Sequence, residues 1–492
     1  MKKSYTVVVL MVLVSFLSCQ NKDLYEGPKG NTDTNNNKPG SDVDYSAPYI
    51  YNFSDEVKNA EAIITIKTNK DITASSLKAS IPTLKYNKTW LMMLTQDDCR
   101  QDSYCRTWAK INGKPVSSSI TFDGEHQLFF DYLQLTNADL PPTTAVAQHS
   151  LGSTDGAGNE VRFAITATVE PEQRWMNAGT NINKNYTQNY YRFYMKSGLV
   201  WYNLIDMMNY GTGLAFHNVS ASNEKDESDV LRHFNIAQDS IVKRLSGRKC
   251  KMLAEPDGNK VYVSAALKFP DIQTMTAQAG TVILYPFRVD TDLKDVLLNR
   301  AFLDSPDDVK SEIQTQLALP KEQKKAISIG VHSTDNSWMD FLQWVNDNYG
   351  QKGDDSVWFP SQEEYYEYNY YRIHGIQKIE QIDSRTIRVI ATLPSGDSFY
   401  YPSTTINISG IKLSDIISIS SNDATSGFSY ADYDNGIMMN IDCRKHLVEL
   451  ATHYVEKYEK DKTNTSNKAD AIYFVKLLKP SSTKEDLLKR VY

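Results

Sequence analysis

Cysteine is scarce in this chain, five residues in 492, which excludes a scaffold stapled by many disulfides. Positive charge is not in excess either: 53 Lys and Arg stand against 60 Asp and Glu, a formal net charge of −7. Nucleic-acid binding needs a concentrated basic face that displaces counterions from phosphate, so no nucleic-acid partner is expected. Beyond the first twenty residues no apolar run is long enough to cross a bilayer. What remains is the composition of an ordinary globular protein, with length for about three domains.

The chain opens with Lys2 and Lys3, an apolar core from Val7 to Leu17, and then Ser18-Cys19. An apolar core this short between charged and small residues has the layout of an export signal. A cysteine at its end resembles a bacterial lipoprotein box, which implies that Cys19 is lipidated and becomes the new N-terminus. A plain cleaved signal with a chance cysteine is the alternative. The resemblance implies a bacterial cell envelope, the outer membrane first, with the body held at the membrane by acyl chains. Residues 20–47 are dominated by Asn, Asp, Gly, Lys, Pro and Ser, too little apolar surface to offset chain entropy, and read as a disordered tether. Nothing in the sequence specifies an oligomeric state.

Residues 48–88 read as a β-rich lead-in, carried by the run at 62–67. From 89 to 372, apolar runs at 90–94, 161–169, 214–216, 260–267, 281–287 and 327–331 read as strands. Between them, 228–245 and 337–348 have helical spacing, with Trp338, Phe341, Leu342 and Val345 on one face. The alternation predicts an α/β domain with a largely parallel sheet, open or closed into a barrel. Residues 373–492 read as a separate β-rich module with strands at 386–393, 399–401 and 405–408. It ends in a helix that carries Leu447, Val448, Leu450, Ala451, Tyr454, Val455 and Tyr458 as an apolar stripe.

The chemistry-bearing residues fall at strand ends. Asp97 and Asp98 follow the run at 90–94, His217 follows 214–216, and His332 follows 327–331. In parallel α/β folds the C-terminal strand ends converge on one rim, where sites form. Two carboxylates and two imidazoles there would supply a divalent metal site with a base and an acid beside it, suited to ester or amide hydrolysis. The bland readings stay open: Asp-Asp after a strand caps the next helix, and a strand-end histidine serves as a structural hydrogen-bond donor. Cys99 and Cys105 are close enough in sequence for a bridge, and export would permit one.

Thr95-Gln96-Asp97-Asp98-Cys99 resembles the Thr-Phe-Asp-Asp-Gly motif of the polysaccharide deacetylases, carbohydrate esterase family four. The resemblance covers roughly 89–371 and implies an irregular (β/α) barrel, flanked here by the β-rich lead-in and the C-terminal β-rich module. It implies Asp97 as catalytic base, Asp98 and His217 as ligands of a divalent metal (zinc foremost), and His332 as general acid. An acylated carbohydrate would be the substrate. Three departures stand out. Ala221 takes the place of the second metal histidine of the His-x-x-x-His motif. Ala254-Glu255-Pro256-Asp257-Gly258 keeps the proline and glycine of Arg-x-Pro-Tyr-Gly but lacks its arginine. Cys99 replaces a glycine. Pro256, with Trp201 and Trp338 close in sequence to the rim motifs, is expected to contact substrate, and tyrosines cluster at 186–194 and 365–371. Two functions follow: a surface lipoprotein with a metal-dependent carbohydrate deacetylase domain or, because of Ala221, a descendant that binds glycan without turnover.

Overall fold

Every residue of the Trp90–Gln96 strand is buried, the signature of a parallel strand covered on both faces. The computed structural model describes residues 48–122, 126–135, 139, 149–182, 192–196 and 198–492. The expected leader, Cys19, the tether and residues 186–191 of the first tyrosine cluster lie outside the described residues. Seven parallel strands follow in the order Leu297–Asn299, Thr274–Ala277, Met252–Ala254, Gly213–Phe216, Thr166–Val169, Trp90–Gln96 and Ile327–Val331. An eighth, Val357–Trp358, pairs with the start of Trp90–Gln96. The ring nearly closes: Ala301, just past the first strand in that order, bridges Ile329 of the last. Ala301 N–H donates to Ser328 O at 2.8 Å, and Gly330 N–H donates to Ala301 O at 3.0 Å. A Cβ at Gly330 would stand 2.4 Å from the Phe302 ring, so a larger residue there would have to push that ring aside. This is the irregular (β/α) barrel expected.

The segments on either side of the barrel share two antiparallel sheets. Ala60–Thr68 lies between Thr386–Leu393 and Ile416–Ser421, with Ile376–Asp383 outermost. Lys78–Ser80 pairs with Ser403–Ser409, which continues to Gly436–Asp442 and Gly427–Tyr433. The alternating burial of Thr386–Leu393 fits a sheet with one covered face. Ile64, Ile66, Val389, Ile406 and Met439 belong to the same apolar core as Leu91, Met93 and Tyr365 of the barrel, so the two parts pack as one body. Helices Leu447–Lys460, Thr465–Leu477 and Ser482–Val491 end the chain. Asp470 ties them to the barrel region, pairing with Lys114, with Arg162 Nη1 at 2.9 Å and with the Tyr210 hydroxyl at 2.9 Å.

Several expected strands are otherwise. The run at 260–267 is the helix Lys260–Ala266, capped by Asn259, whose side chain accepts from Val261 N; it buries Tyr262, Ala265 and Ala266 at helical spacing. The run at 281–287 is a loop with a single bridge at Val282 and a short turn Pro286–Arg288. Its Val282 and Ile283 are exposed. The run at 161–169 divides between a hairpin arm, Glu160–Arg162, and the barrel strand Thr166–Val169. At 399–401 the backbone does not join a sheet: Tyr400 and Tyr401 N–H groups donate to the buried Glu367 carboxylate, at 2.8 and 2.6 Å. The helices Glu227–Arg244 and Asn336–Tyr349 form where expected, and Trp338, Phe341, Leu342 and Val345 are all buried.

Candidate functional site

The site lies on the rim formed by the C-terminal strand ends, and parallel register brings its parts level. Gln96 pairs with Val331, and Asp97 N–H donates to Val331 O at 2.8 Å. Asp97 therefore leaves its strand beside His332. Val169 pairs with Phe216, which sets Glu170 beside His217. Asp98 and Cys99 then turn with φ of 61° and 47°. Left-handed backbone at a residue with a side chain costs about 1–3 kcal/mol and persists where surrounding contacts enforce it. Here Cys99 N–H donates to Thr168 Oγ1 at 3.0 Å, and Cys99 O accepts from Leu199 N–H at 2.7 Å. The resembling motif carries glycine at this position, the residue that suits such a φ.

His217 is buried and held from both sides. Its Nδ1 lies 2.8 Å from Ala254 O, which makes Nδ1 the donor and turns Nε2 toward the acids. Nε2 is 3.5 Å from Asp98 Oδ1 and 3.9 Å from Asp97 Oδ2. Arg300, 1% exposed, places Nη1 2.6 Å from Asp97 Oδ1 and donates from Nη2 to Glu255 O at 2.9 Å. Arg100 grips the other acid, with Nη2 2.8 Å and Nε 3.2 Å from Asp98 Oδ2.

These charges set the protonation states. Burial works against a charged His217, but the Asp97 charge and the Asp98 hydrogen bond prevail and raise it to about 9. Burial also works against the Asp98 carboxylate. The His217 contact and Arg100 overcome it and hold Asp98 well below the usual carboxylate range. Glu170 has weaker help: burial dominates and pushes it up to about 7, with His217 opposing and Asp98 adding. Burial lifts the Cys99 thiol far above its ordinary range. Cys99 and Cys105 are both free, so no bridge joins them.

The expected site residues separate into groups. Asp97, Asp98 and His217 meet. His332 stands on the same rim, exposed, with its ring 5.0 Å from Phe302. Pro256 is buried just past the Met252–Ala254 strand. Trp201 and Trp338 are 6% and 9% exposed, and Trp338 packs edge-on against Phe341, which leaves little ring surface for a ligand. Asp98 and His217 offer two donors to a divalent ion. Ala221 offers none, and among the described residues no three His, Cys, Asp or Glu side chains are gathered to hold one. The described residues therefore do not supply the three protein ligands that a catalytic metal site uses beside its open position.

Sequence reasoning missed Arg300, Arg100 and Glu170. Glu170 directly follows the run at 161–169 and was open to the same strand-end reading as His217. Arg300 follows a strand of only three residues, Leu297–Asn299, too short to show in any periodicity. A search of curated proteins finds no match for the chain. A family model described as "putative polysaccharide deacetylase" matches residues 60–492.

Proposed function

We propose, from the premise that the chain belongs to the polysaccharide deacetylase family, that it removes acyl groups from carbohydrate with Asp97 as general base. The observation that carries this reading is the meeting of Asp97, Asp98, His217 and Arg300 from three separate strand ends. Arg300 occupies Asp97 Oδ1 and leaves Oδ2 toward His217, so one oxygen is anchored while the other takes the proton of an attacking water. The charged His217, kept so by Asp97 and Asp98, supplies a donor for the negative oxygen that develops at the acyl carbon. His332, exposed after the Ile327–Val331 strand, serves in this reading as the acid that protonates the leaving sugar oxygen or nitrogen.

The test is hydrolysis of an aryl acetate and of an acetylated oligosaccharide by purified protein. Asp97→Asn should lower kcat by about a hundredfold or more; an unchanged rate would remove Asp97 from the chemistry. The same assay run with chelator and with added zinc addresses the ion. Activity that requires zinc would make Asp98 and His217 its ligands. Activity indifferent to chelation would leave the side chains as the whole machinery. The second reading, a cleft that holds glycan without turnover, is favoured by Ala221 and by the absence of a three-ligand group among the described residues; glycan binding with no hydrolysis in either condition would establish it.

The protein's place at the cell surface rests on Cys19. Lipidation there puts the protein in the membrane fraction of a bacterial host, and Cys19→Ala releases it.

A further inference from the structure

Of the four residues expected to carry the chemistry, His332 alone has a side chain that nothing polar holds. Among the described residues its imidazole makes no hydrogen bond and no ion pair; only its backbone carbonyl accepts, from Gln96 Nε2 at 3.5 Å. Both ring nitrogens are thereby open, as an acid requires if it is to hand a proton to substrate. An exposed side chain without a polar anchor is free to change rotamer, and a misplaced catalytic group is costly in rate. Its one aromatic neighbour among the described residues is Phe302, with 5.0 Å between ring centroids and 37° between planes.

Phe302 is half-buried, and three features fix it. Ala301 is locked into the barrel seam, donating to Ser328 O and accepting from Gly330 N–H, so strand register sets where the next residue starts. The edge of the Phe302 ring lies over Gly330, where a Cβ would come within 2.4 Å of its Cε2 and Cζ; the missing side chain makes the room. The ring also lies 5.1 Å from the Arg300 guanidinium carbon, a cation–π distance, and Arg300 Nε has no hydrogen-bond partner to draw that cation elsewhere. These contacts close a circuit between base and acid. Arg300 Nη1 holds Asp97 at 2.6 Å, Arg300 meets Phe302, and Phe302 meets His332. His332 in turn follows Val331, whose carbonyl accepts from Asp97 N–H at 2.8 Å.

We propose that Phe302, admitted by Gly330, is a positioning residue that holds the His332 imidazole in place relative to Asp97. The inference rests on the hydrolase reading above for the role of His332 as acid; the contact between the two rings stands apart from turnover. Phe302 acts through His332 and leaves both imidazole nitrogens free.

The experiment compares wild type, Phe302→Leu and Phe302→Tyr in the full chain by kinetics and by NMR of selectively labelled histidine. An aryl acetate expels a phenolate that needs little protonation, whereas a sugar oxygen or nitrogen must be protonated as it leaves. Phe302→Leu should therefore lower kcat on an acetylated oligosaccharide about tenfold more than on the aryl acetate, with KM within about twofold of wild type. Phe302→Tyr, which keeps the ring, should recover most of that loss. The His332 ring-proton resonances, assigned by their disappearance in His332→Gln, should move in Phe302→Leu as ring-current shielding is lost, and should stay in Phe302→Tyr. Gly330→Ala should lower the melting temperature of the wild type and do so far less in a Phe302→Ala background, where the ring it strikes is gone. Equal losses on both substrates, or His332 resonances unmoved in Phe302→Leu, overturn the inference. If the wild type hydrolyses nothing while those resonances move as expected, the hydrolase reading fails and the hold of Phe302 on His332 stands.

Discussion

Arg300 is buried with one hydrogen-bonding direction committed to Asp97 and another to Glu255 O. Removing it leaves a buried carboxylate without its counter-charge, a change that costs about 3–5 kcal/mol. Arg300→Ala should therefore lower both the urea midpoint and kcat, whereas Arg300→Lys, which keeps charge but loses the planar fork, should recover stability better than turnover. Parallel losses in both variants would make the residue merely structural. The His217 charge has a pH signature of its own. Its value in the folded protein, about 9, is above the ordinary 6.5, so the folded state binds the proton more tightly than the unfolded chain does. That stabilisation is complete below about pH 6.5 and is lost as pH rises through 9. It amounts to something on the order of 3 kcal/mol. Denaturation of chelator-treated protein between pH 6 and 10 should show the decline, and His217→Ala should flatten it.

Elements are held to one another here through buried charge as much as through apolar contact. Asp470, on the helix Thr465–Leu477, is the shared partner of Lys114 and Arg162. All three are nearly inaccessible to solvent, and the Tyr473 ring lies 4.1 Å from the Arg162 guanidinium. Asp470→Ala would strand Lys114 in the interior and leave Arg162 with Glu160 alone, so a loss of about 3–5 kcal/mol is expected. Hydrogen exchange should then show the terminal helices opening ahead of the barrel; a uniform loss of protection would count against their attachment at this point. The element scale is also where sequence patterning fell short. The long runs at 90–94 and 327–331 are barrel strands because both faces are covered. The run at 260–267 looks equally strand-like, yet a single capping Asn259 and the spacing of Tyr262, Ala265 and Ala266 make it a helix. Met252–Ala254 and Leu297–Asn299 are three residues each, shorter than any period that could reveal them.

For the molecule as a whole, the strand Ala60–Thr68 is decisive, because it sits inside a sheet whose other members come from beyond residue 375. A chain shortened to begin at Thr89 would leave the edges of Thr386–Leu393 and Ile416–Ser421 unpaired, and exposed edges invite aggregation. Such a chain should fail to melt cooperatively and should aggregate. A sharp, reversible transition would mean that the barrel stands alone. Pattern and composition by themselves determined that the chain is an α/β protein with acids and imidazoles at strand ends, because burial on both faces and strand-end position leave a local mark on residue order. Only the tertiary structure decided that Arg300 faces Asp97 and that the first sheet strand returns to the last third of the chain. Those are meetings of residues hundreds of positions apart, set by register and ring closure, and no local period encodes them.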